Sequence, residues 1–307
     1  MKVAVLYGGV SAEREVSLST GKQIIAALEQ KGHQVTGMDF HPSRLGSLLE
    51  LDADMVFLGL HGRFGEDGRL QGFLDMLGVP YVGSGALASG IAMDKAKSKM
   101  FFKEKNIRIA KEVVLDKKLY SEDQADLPFG FPAVVKPNRE GSTIGLTIAQ
   151  NQSELLQGIN EAFKHDETVL VEEFIAGTEV TVAVIGEKGH VQALPVVEIV
   201  PKNKYYDYES KYAEGGSVHY VPARVSDEVT ALLQKQAVLA HESLGCEVYS
   251  RVDFIVPNDG SDPVILEVNT LPGMTPTSLF PDAAREIGLD YPDMIETLLS
   301  LSLKKYL

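Results

Sequence analysis

Two short apolar runs, YSRVDFIV and VILEVN, are separated by PNDGSDP and carry Arg251, Asp253, Glu267 and Asn269. This arrangement constrains the fold more than any other stretch of the chain. Arg251 and Asp253 are two residues apart, as are Glu267 and Asn269, so on strands each pair projects to one face. The residues from Pro257 to Pro263 are turn formers, and a hairpin centred on Gly260 sets Asp253 opposite Glu267 and Arg251 opposite Asn269. One face then holds two carboxylates, an amide and a guanidinium. Oxygen ligands without His or Cys suit Mg²⁺, which commonly shares them with substrate phosphates, and an adjacent Arg suits a developing anion. The plainer alternative is a solvated sheet face, and a one-residue bulge would break the register. The stretch NTLPGMTPTSL begins at Asn269, and its Gly273 can bring a bare backbone N–H close to a ligand held there.

The 307 residues are too many for one ordinary core and predict two or three domains. A net charge of −14, from 29 basic and 43 acidic side chains, argues against a nucleic-acid or anionic-membrane partner. Any phosphate must therefore be bound locally. Cys246 is the only cysteine, which excludes an intrachain disulfide and a Cys-based zinc site. Its expected role is that of a small buried apolar residue. The opening MKVAVLYGG is too short an apolar run for a signal segment, and no stretch of about 18 apolar residues follows. The expected location is the cytoplasm.

Strand and helix signals alternate over the first ninety or so residues, from KVAVLYGG through EVSLSTGKQIIAALEQKG, HQVTGMDF and a further helical stretch to ADMVFLGLHG. That pattern predicts a parallel α/β unit. Gly8 and Gly9 close the first strand without the spacing of a dinucleotide fingerprint. Strand ends in such sheets face the ligand crevice, which makes Glu13 and His61 site candidates; Glu13 reads equally as a helix cap, and His61 as a structural residue. The Gly/Ser-rich VGSGALASG and the segment IAGTEV are the expected domain boundaries.

Lys136 ends the strand PAVV ahead of NREGSTIG, where Gly141, Ser142, Thr143 and Gly145 form a small-residue loop. A strand-end lysine with glycine-loop N–H groups can hold phosphate, although a hairpin turn with an exposed lysine fits nearly as well. VLVEEFI reads as a strand ending in Glu172 and Glu173, with Glu179 seven residues past Glu172. Main-chain groups there can read an adenine, with Phe174 and Ile175 packing on it and a carboxylate taking the ribose hydroxyls; plain core is the alternative for both apolar residues. The polar KNKYYDYESKYAEGGS reads as a long loop, either a functional lid carrying Lys211 and Tyr212 or a solvated surface loop.

Taken together, GGVSAEREVSL, HGRFGEDGRLQG, MDKAKSK, KPNREGSTIG, EEFIAGTEVTV, YDYESKY, SRVDF and LEVNTLPGMTPTSL are highly specific. From end to end the chain resembles the D-alanine:D-alanine ligases of the ATP-grasp superfamily. The resemblance implies an α/β, three-domain ATP-grasp fold with an N-terminal, Rossmann-like parallel-sheet domain. The expected divisions are 1–92 for substrate, 93–178 as the central ATP-grasp part, and 179–307 carrying the metal and substrate site. ATP would lie between the second and third. By the motif matches, Lys95, Lys136 and the lid's Lys211 would contact phosphates, the chain from Glu172 through Glu173 and Phe174 to Ile175 would hold adenine, and Glu179 would bind ribose. Asp253, Glu267 and Asn269 would hold two Mg²⁺ ions, with Mn²⁺ as an alternative.

In the resembling enzymes one D-alanine carboxylate is phosphorylated and the amine of a second D-alanine attacks the acyl phosphate. By that resemblance, Arg251 and the Gly273 N–H would stabilise the oxyanion, Glu13 would hold the first amine, and Ser142 and Tyr212 would form a hydrogen-bonded group with Glu13. Ser278 and Leu279 would receive the second carboxylate, with His61 near the first substrate. The family further suggests a homodimer. Two rivals are a same-fold ligase making D-alanyl-D-lactate, against which Tyr212 argues, and a noncatalytic nucleotide-binding regulator, which should have lost ligands that this chain retains. Val248 departs from the small residue common in the family and predicts altered local packing; Phe174 stands where some members carry Trp.

Overall fold

The computed structural model describes residues 1–121, 127–201 and 216–307. The chain opens with β1 (Lys2–Gly8), α1 (Arg14–Gln30), β2 (Gln34–Phe40) and β3 (Met55–Leu58), followed by α2 (Arg69–Leu77) and α3 (Ala86–Met93). The three strands form a parallel sheet in the order β2-β1-β3, as the alternation predicts. Val3 to Leu6 on the central strand are all buried, the continuous apolar run expected of a strand covered on both faces. The helical stretch expected between β2 and β3 is a 3₁₀ helix, Pro42–Leu48. The Gly/Ser-rich segment expected as a boundary runs into α3, whose Ala88 and Ala92 are buried. Small side chains there let the helix pack closely against its neighbours.

Next come α4 (Lys95–Glu104), β4 (Glu112–Asp116), β5 (Ala133–Pro137), β6 (Thr147–Ala149), α5 (Gln152–Ala162) and β7 (Thr168–Glu173). Asp94 caps α4 by accepting the Lys97 N–H at 3.2 Å, and Asn151 caps α5 by accepting the Glu154 N–H at 3.1 Å. The strands form an antiparallel sheet in the order β4-β7-β5-β6. Leu155, Ile159 and Ala162 recur at helical spacing along α5 and join Val135 and Val169 in one core.

The last part holds β8 (Gly177–Glu187), β9 (His190–Ala193), β10 (Val197–Pro201), β11 (Ser217–Tyr220), α6 (Asp227–Ser243), β12 (Val248–Pro257), β13 (Val264–Asn269), α7 (Leu279–Glu286) and α8 (Tyr291–Leu303). Its sheet runs β11-β10-β8-β12-β13, with β9 also on β8. Alternation along the strands divides their side chains between two cores. Val180, Val182, Val184 and Val252 pack with Leu233 and Ala237 of α6. Ala183, Ile185 and Tyr249 share a core with the N-terminal sheet and with Phe280, Met294, Ile295, Leu298 and Leu299 of the last two helices. Across that junction His33 Nε2 meets Glu296 Oε2 at 2.6 Å, and Lys31 pairs with Asp293. The two ends of the chain therefore close one core.

The hairpin register is the one the turn predicts, with Arg251 opposite Asn269 and Asp253 opposite Glu267. A bulge does occur, between Asp253 and Phe254, but it falls on the turn side and leaves all four residues in step. Val248 adopts φ +66° while buried, and the Tyr249 N–H donates across it to the Glu247 carbonyl at 2.7 Å. A β-branched residue pays for this left-handed conformation, so the departure at Val248 is one of backbone strain as well as packing.

Candidate active site

A cavity of about 230 Å³ opens where the middle and C-terminal sheets meet. Val134, Ile148, Ile255 and Leu266 supply apolar walls, and Glu172 to Ile175 form one side where β7 ends. The apolar walls with a few convergent polar groups suit a planar ligand carrying a charged tail. Phe174 and Ile175 line this cavity, as do Glu173 and Glu179. The Glu173 carboxylate itself accepts the Lys111 N–H at 2.9 Å, leaving its main chain as the part available to a ligand.

Two lysines, Lys95 and Lys136, line the charged end, and a third, Lys99, shares a partner with Lys136 without lining the cavity. Lys95, in the first turn of α4, donates from Nζ to the Glu140 carbonyl at 2.8 Å and meets Glu267 Oε2 at 3.0 Å. Lys136, the last residue but one of β5, has its Nζ 2.9 Å from Glu172 Oε2. Lys99, one turn along α4, pairs with Glu172 from the other side. Burial works against the charged form of Lys95 and of Lys136. For Lys95 the Glu267 carboxylate outweighs burial and raises the ammonium above its ordinary value, whereas for Lys136 burial with Lys99 and Lys95 close by lowers it despite Glu172. Burial would likewise push the Glu172 carboxyl up, yet Lys136 and Lys99 together hold it at about 2.

Asp253 accepts four hydrogen bonds. Its Oδ1 accepts from Thr181 Oγ1 at 2.5 Å and Arg251 Nε at 2.9 Å, and its Oδ2 from Arg251 Nη2 at 2.8 Å and Asn269 Nδ2 at 3.0 Å. Among the described residues no three His, Cys, Asp or Glu side chains gather round one point, so the available donors are two carboxylates and the Asn269 amide. Their opposite charges come from Arg251 on Asp253 and Lys95 on Glu267. An all-oxygen set with this charge fits a hard divalent cation, which would take over neutralisation from those side chains.

A second corner is built by the N-terminal unit. Glu13 stands at the N-cap position of α1 but makes no capping bond; its Oε1 accepts from Ser142 Oγ. A Cβ on Gly62, which has φ +68°, would lie 3.1 Å from Glu13 Oε2, so glycine there serves both the backbone turn and the approach of the carboxylate. Ser142 and Thr143 both adopt positive φ, 51° and 60°, a strained turn that presents Ser142 to Glu13. His61 is buried; its Nε2 lies 2.9 Å from Thr20 Oγ1 and its Nδ1 3.2 Å from the Leu271 carbonyl, tying β3's end to the loop after β13. Burial would lower its pKa, but Glu66 and Glu13 leave it raised.

Beyond Leu271, a Cβ on Gly273 would lie 3.1 Å from Ser278 Oγ. Ser278 occupies the N-cap position of α7 without capping it by side chain, its Oγ instead meeting Thr275 Oγ1 at 2.8 Å. The first turn has Pro281 at its third position, and the Asp282 N–H bonds the Ser278 carbonyl at 3.0 Å. The N–H groups of Leu279 and Phe280 are thus those a helix start offers to an anion. Lys211 and Tyr212 lie outside the described residues. Sequence reasoning missed Lys99, Thr181 and Glu66. Thr181 is directly opposite Asp253 in the β8/β12 pairing, a relation that needs the sheet order to see.

Residues 43–84 match the profile of the D-ala D-ala ligase N-terminus and residues 101–300 that of the D-ala D-ala ligase C-terminus. The D-alanine–D-alanine ligase of Halalkalibacterium halodurans is 65% identical over 305 residues, covering 99% of this chain and 100% of that protein. The solved structure of the Bacillus anthracis D-alanine–D-alanine ligase complexed with ATP has 34% identity and a TM-score of 0.83, over 99% of this chain and 98% of that one. That of the VanG D-Ala:D-Ser ligase from Enterococcus faecalis has 30% identity and a TM-score of 0.85, over 98% and 99%. This chain belongs to the D-alanine–D-alanine ligase family.

Proposed function

We infer that the chain joins two D-alanines into D-alanyl-D-alanine at the expense of ATP, through a D-alanyl phosphate, for peptidoglycan precursors. The observation that carries this reading is the single sheet face bearing Arg251, Asp253, Glu267 and Asn269 at the cavity that Lys95 and Lys136 also line or border. Adenine lies along Glu172 to Ile175 with its ribose at Glu179, and its phosphates run toward Lys95, Lys136 and the Gly141–Ser142 loop. Asp253, Glu267 and Asn269 hold Mg²⁺, two ions in the full complex. When bound, the metal screens the charge of the phosphate oxygens.

Glu13, fixed by Ser142, holds the ammonium of the first D-alanine, with His61 nearby. The carboxylate oxygen of that D-alanine attacks the γ-phosphorus, the bond to the β-phosphate oxygen breaks, and ADP leaves. The second D-alanine docks its carboxylate on Ser278 and the α7 N-terminus at Leu279. Its neutral amine then attacks the acyl carbon. Arg251 and the Gly273 N–H stabilise the resulting oxyanion, and collapse expels phosphate, which takes up the proton that the amine nitrogen loses, as the peptide bond remains. Holding both substrates in line accounts for much of the rate. Lys211 and Tyr212 join this site on sequence grounds alone, as phosphate contact and as partner of Ser142.

The working divisions are 1–92, 93–178 and 179–307, the enzyme acts in the cytoplasm, and two copies associate. Among the described residues no helix is long and apolar enough to cross a membrane. Incubation with ATP, Mg²⁺ and D-alanine tests the reading: ADP and dipeptide should appear in equal amounts. D-lactate competition distinguishes the ester-forming rival, and ATP binding without turnover would favour the regulator.

A further inference from the structure

Lys99 is an ammonium with almost no access to water, its side chain being 1% exposed. It pairs with Glu172 and lies 3.3 Å from Glu112 Oε2. Glu112 and Glu172 are directly opposite in the β4/β7 ladder, where two like charges repel unless a cation sits between them. Lys99 is that cation. Glu112 has a second partner in Lys103 at 3.1 Å, and Glu172 a second partner in Lys136 at 2.9 Å.

The two lysines on Glu172 differ in what surrounds them. Lys136 lines the cavity, whereas Lys99 does not. A ligand phosphate can draw Lys136 away only if Glu172 remains neutralised, because stripping a buried carboxylate of its last cation is heavily unfavourable. We propose that Lys99 is a positioning residue that keeps Glu172 paired and fixed, and thereby frees Lys136 to exchange the Glu172 carboxylate for the nucleotide's phosphates. The inference rests on the reading of the cavity as a nucleotide site. It makes the ligand-free contact between Lys136 and Glu172 a resting position, and it makes Lys99 the reason that leaving this position is cheap. Burial would push the Glu172 carboxyl up, yet Lys136 and Lys99 hold it low, which agrees with a carboxylate that is an acceptor in the resting position.

Calorimetric titration with ADP and Mg²⁺ tests the exchange directly. Lys99→Met should bind ADP about 10- to 100-fold more weakly, the scale of a buried ion pair that now resists opening. The KM for D-alanine should stay within about twofold, and Lys99→Arg should recover most of the affinity. Because the effect passes through Glu172, Lys99→Met should cost less than about threefold when added to Glu172→Gln. Equal ADP affinity in folded Lys99→Met and wild type would overturn the proposal, as would an undiminished loss in the Glu172→Gln background. Should Lys99→Met fail to fold, the double variant decides: folding with ADP affinity near that of Glu172→Gln supports the role through Glu172, and failure to fold overturns it. Absence of ADP binding by the wild type would instead sink the nucleotide-site reading.

Discussion

Replacing Arg251 by Met removes two of the four hydrogen bonds on Asp253, those from Nε at 2.9 Å and Nη2 at 2.8 Å. Thr181 and Asn269 remain. Breaking a buried pair so that one charge is stranded costs about 3–5 kcal/mol, and with half its donors retained Asp253 should lose about half of that, ~2 kcal/mol. At about 2–4 °C per kcal/mol the melting temperature should fall by roughly 4–8 °C. Turnover should fall by about 10²-fold or more, the scale of losing a transition-state donor, with ATP binding largely intact. The same vacancy exposes Asp253 oxygens to a divalent ion. Mg²⁺ at about ten times its dissociation constant restores about 1.4 kcal/mol, so its stabilisation of Arg251→Met should exceed that of the wild type. Scanning calorimetry with and without Mg²⁺, beside steady-state kinetics, reads all three quantities. Unchanged turnover with weakened ATP affinity would remove the oxyanion role, and a Mg²⁺-insensitive melting temperature in the variant would remove Asp253 as a metal ligand.

Glu267→Gln should abolish turnover while the fold survives, because Lys95 keeps the Glu140 carbonyl as a partner; near wild-type ADP release would count against the metal assignment. Ser142→Ala should raise the KM for D-alanine by roughly tenfold, the worth of one hydrogen bond to a charged group, with ADP affinity unchanged. An effect confined to ADP would relocate Ser142 to the nucleotide. His241 is pushed down to about 4 by burial, so the unfolded chain takes up a proton first as pH falls from the ordinary 6.5. Stability is then full above 6.5 and declines toward pH 4, by about 3 kcal/mol in all. Urea unfolding at pH 7 and pH 4.5 should show that decline flattened in His241→Gln, and an unaltered slope would exclude His241 as its source.

The hairpin face was legible because its turn residues fix the register and period-two spacing fixes the face, and the bulge happened to fall outside the four residues. The caps at Asp94 and Asn151 are local too, since each supplies an oxygen to its own first turn. Lys99 was not, because a lysine on a helix ordinarily faces water and its burial depends on two acids brought together by strand pairing. Thr181 was hidden in the same way by sheet order. Val248 stood out as an odd residue, but its positive φ is a property of the turn it occupies and leaves no mark in the composition around it.

The closure of one core by both ends of the chain sets a timetable for synthesis. His33 and Glu296 lie 263 residues apart, and the apolar partners of the first sheet include α7 and α8. At about 5–20 residues per second a ribosome needs roughly 10–50 s to supply that missing layer. Until then the nascent parallel strands keep one apolar side unmatched, and that core closes only once α7 and α8 have been made.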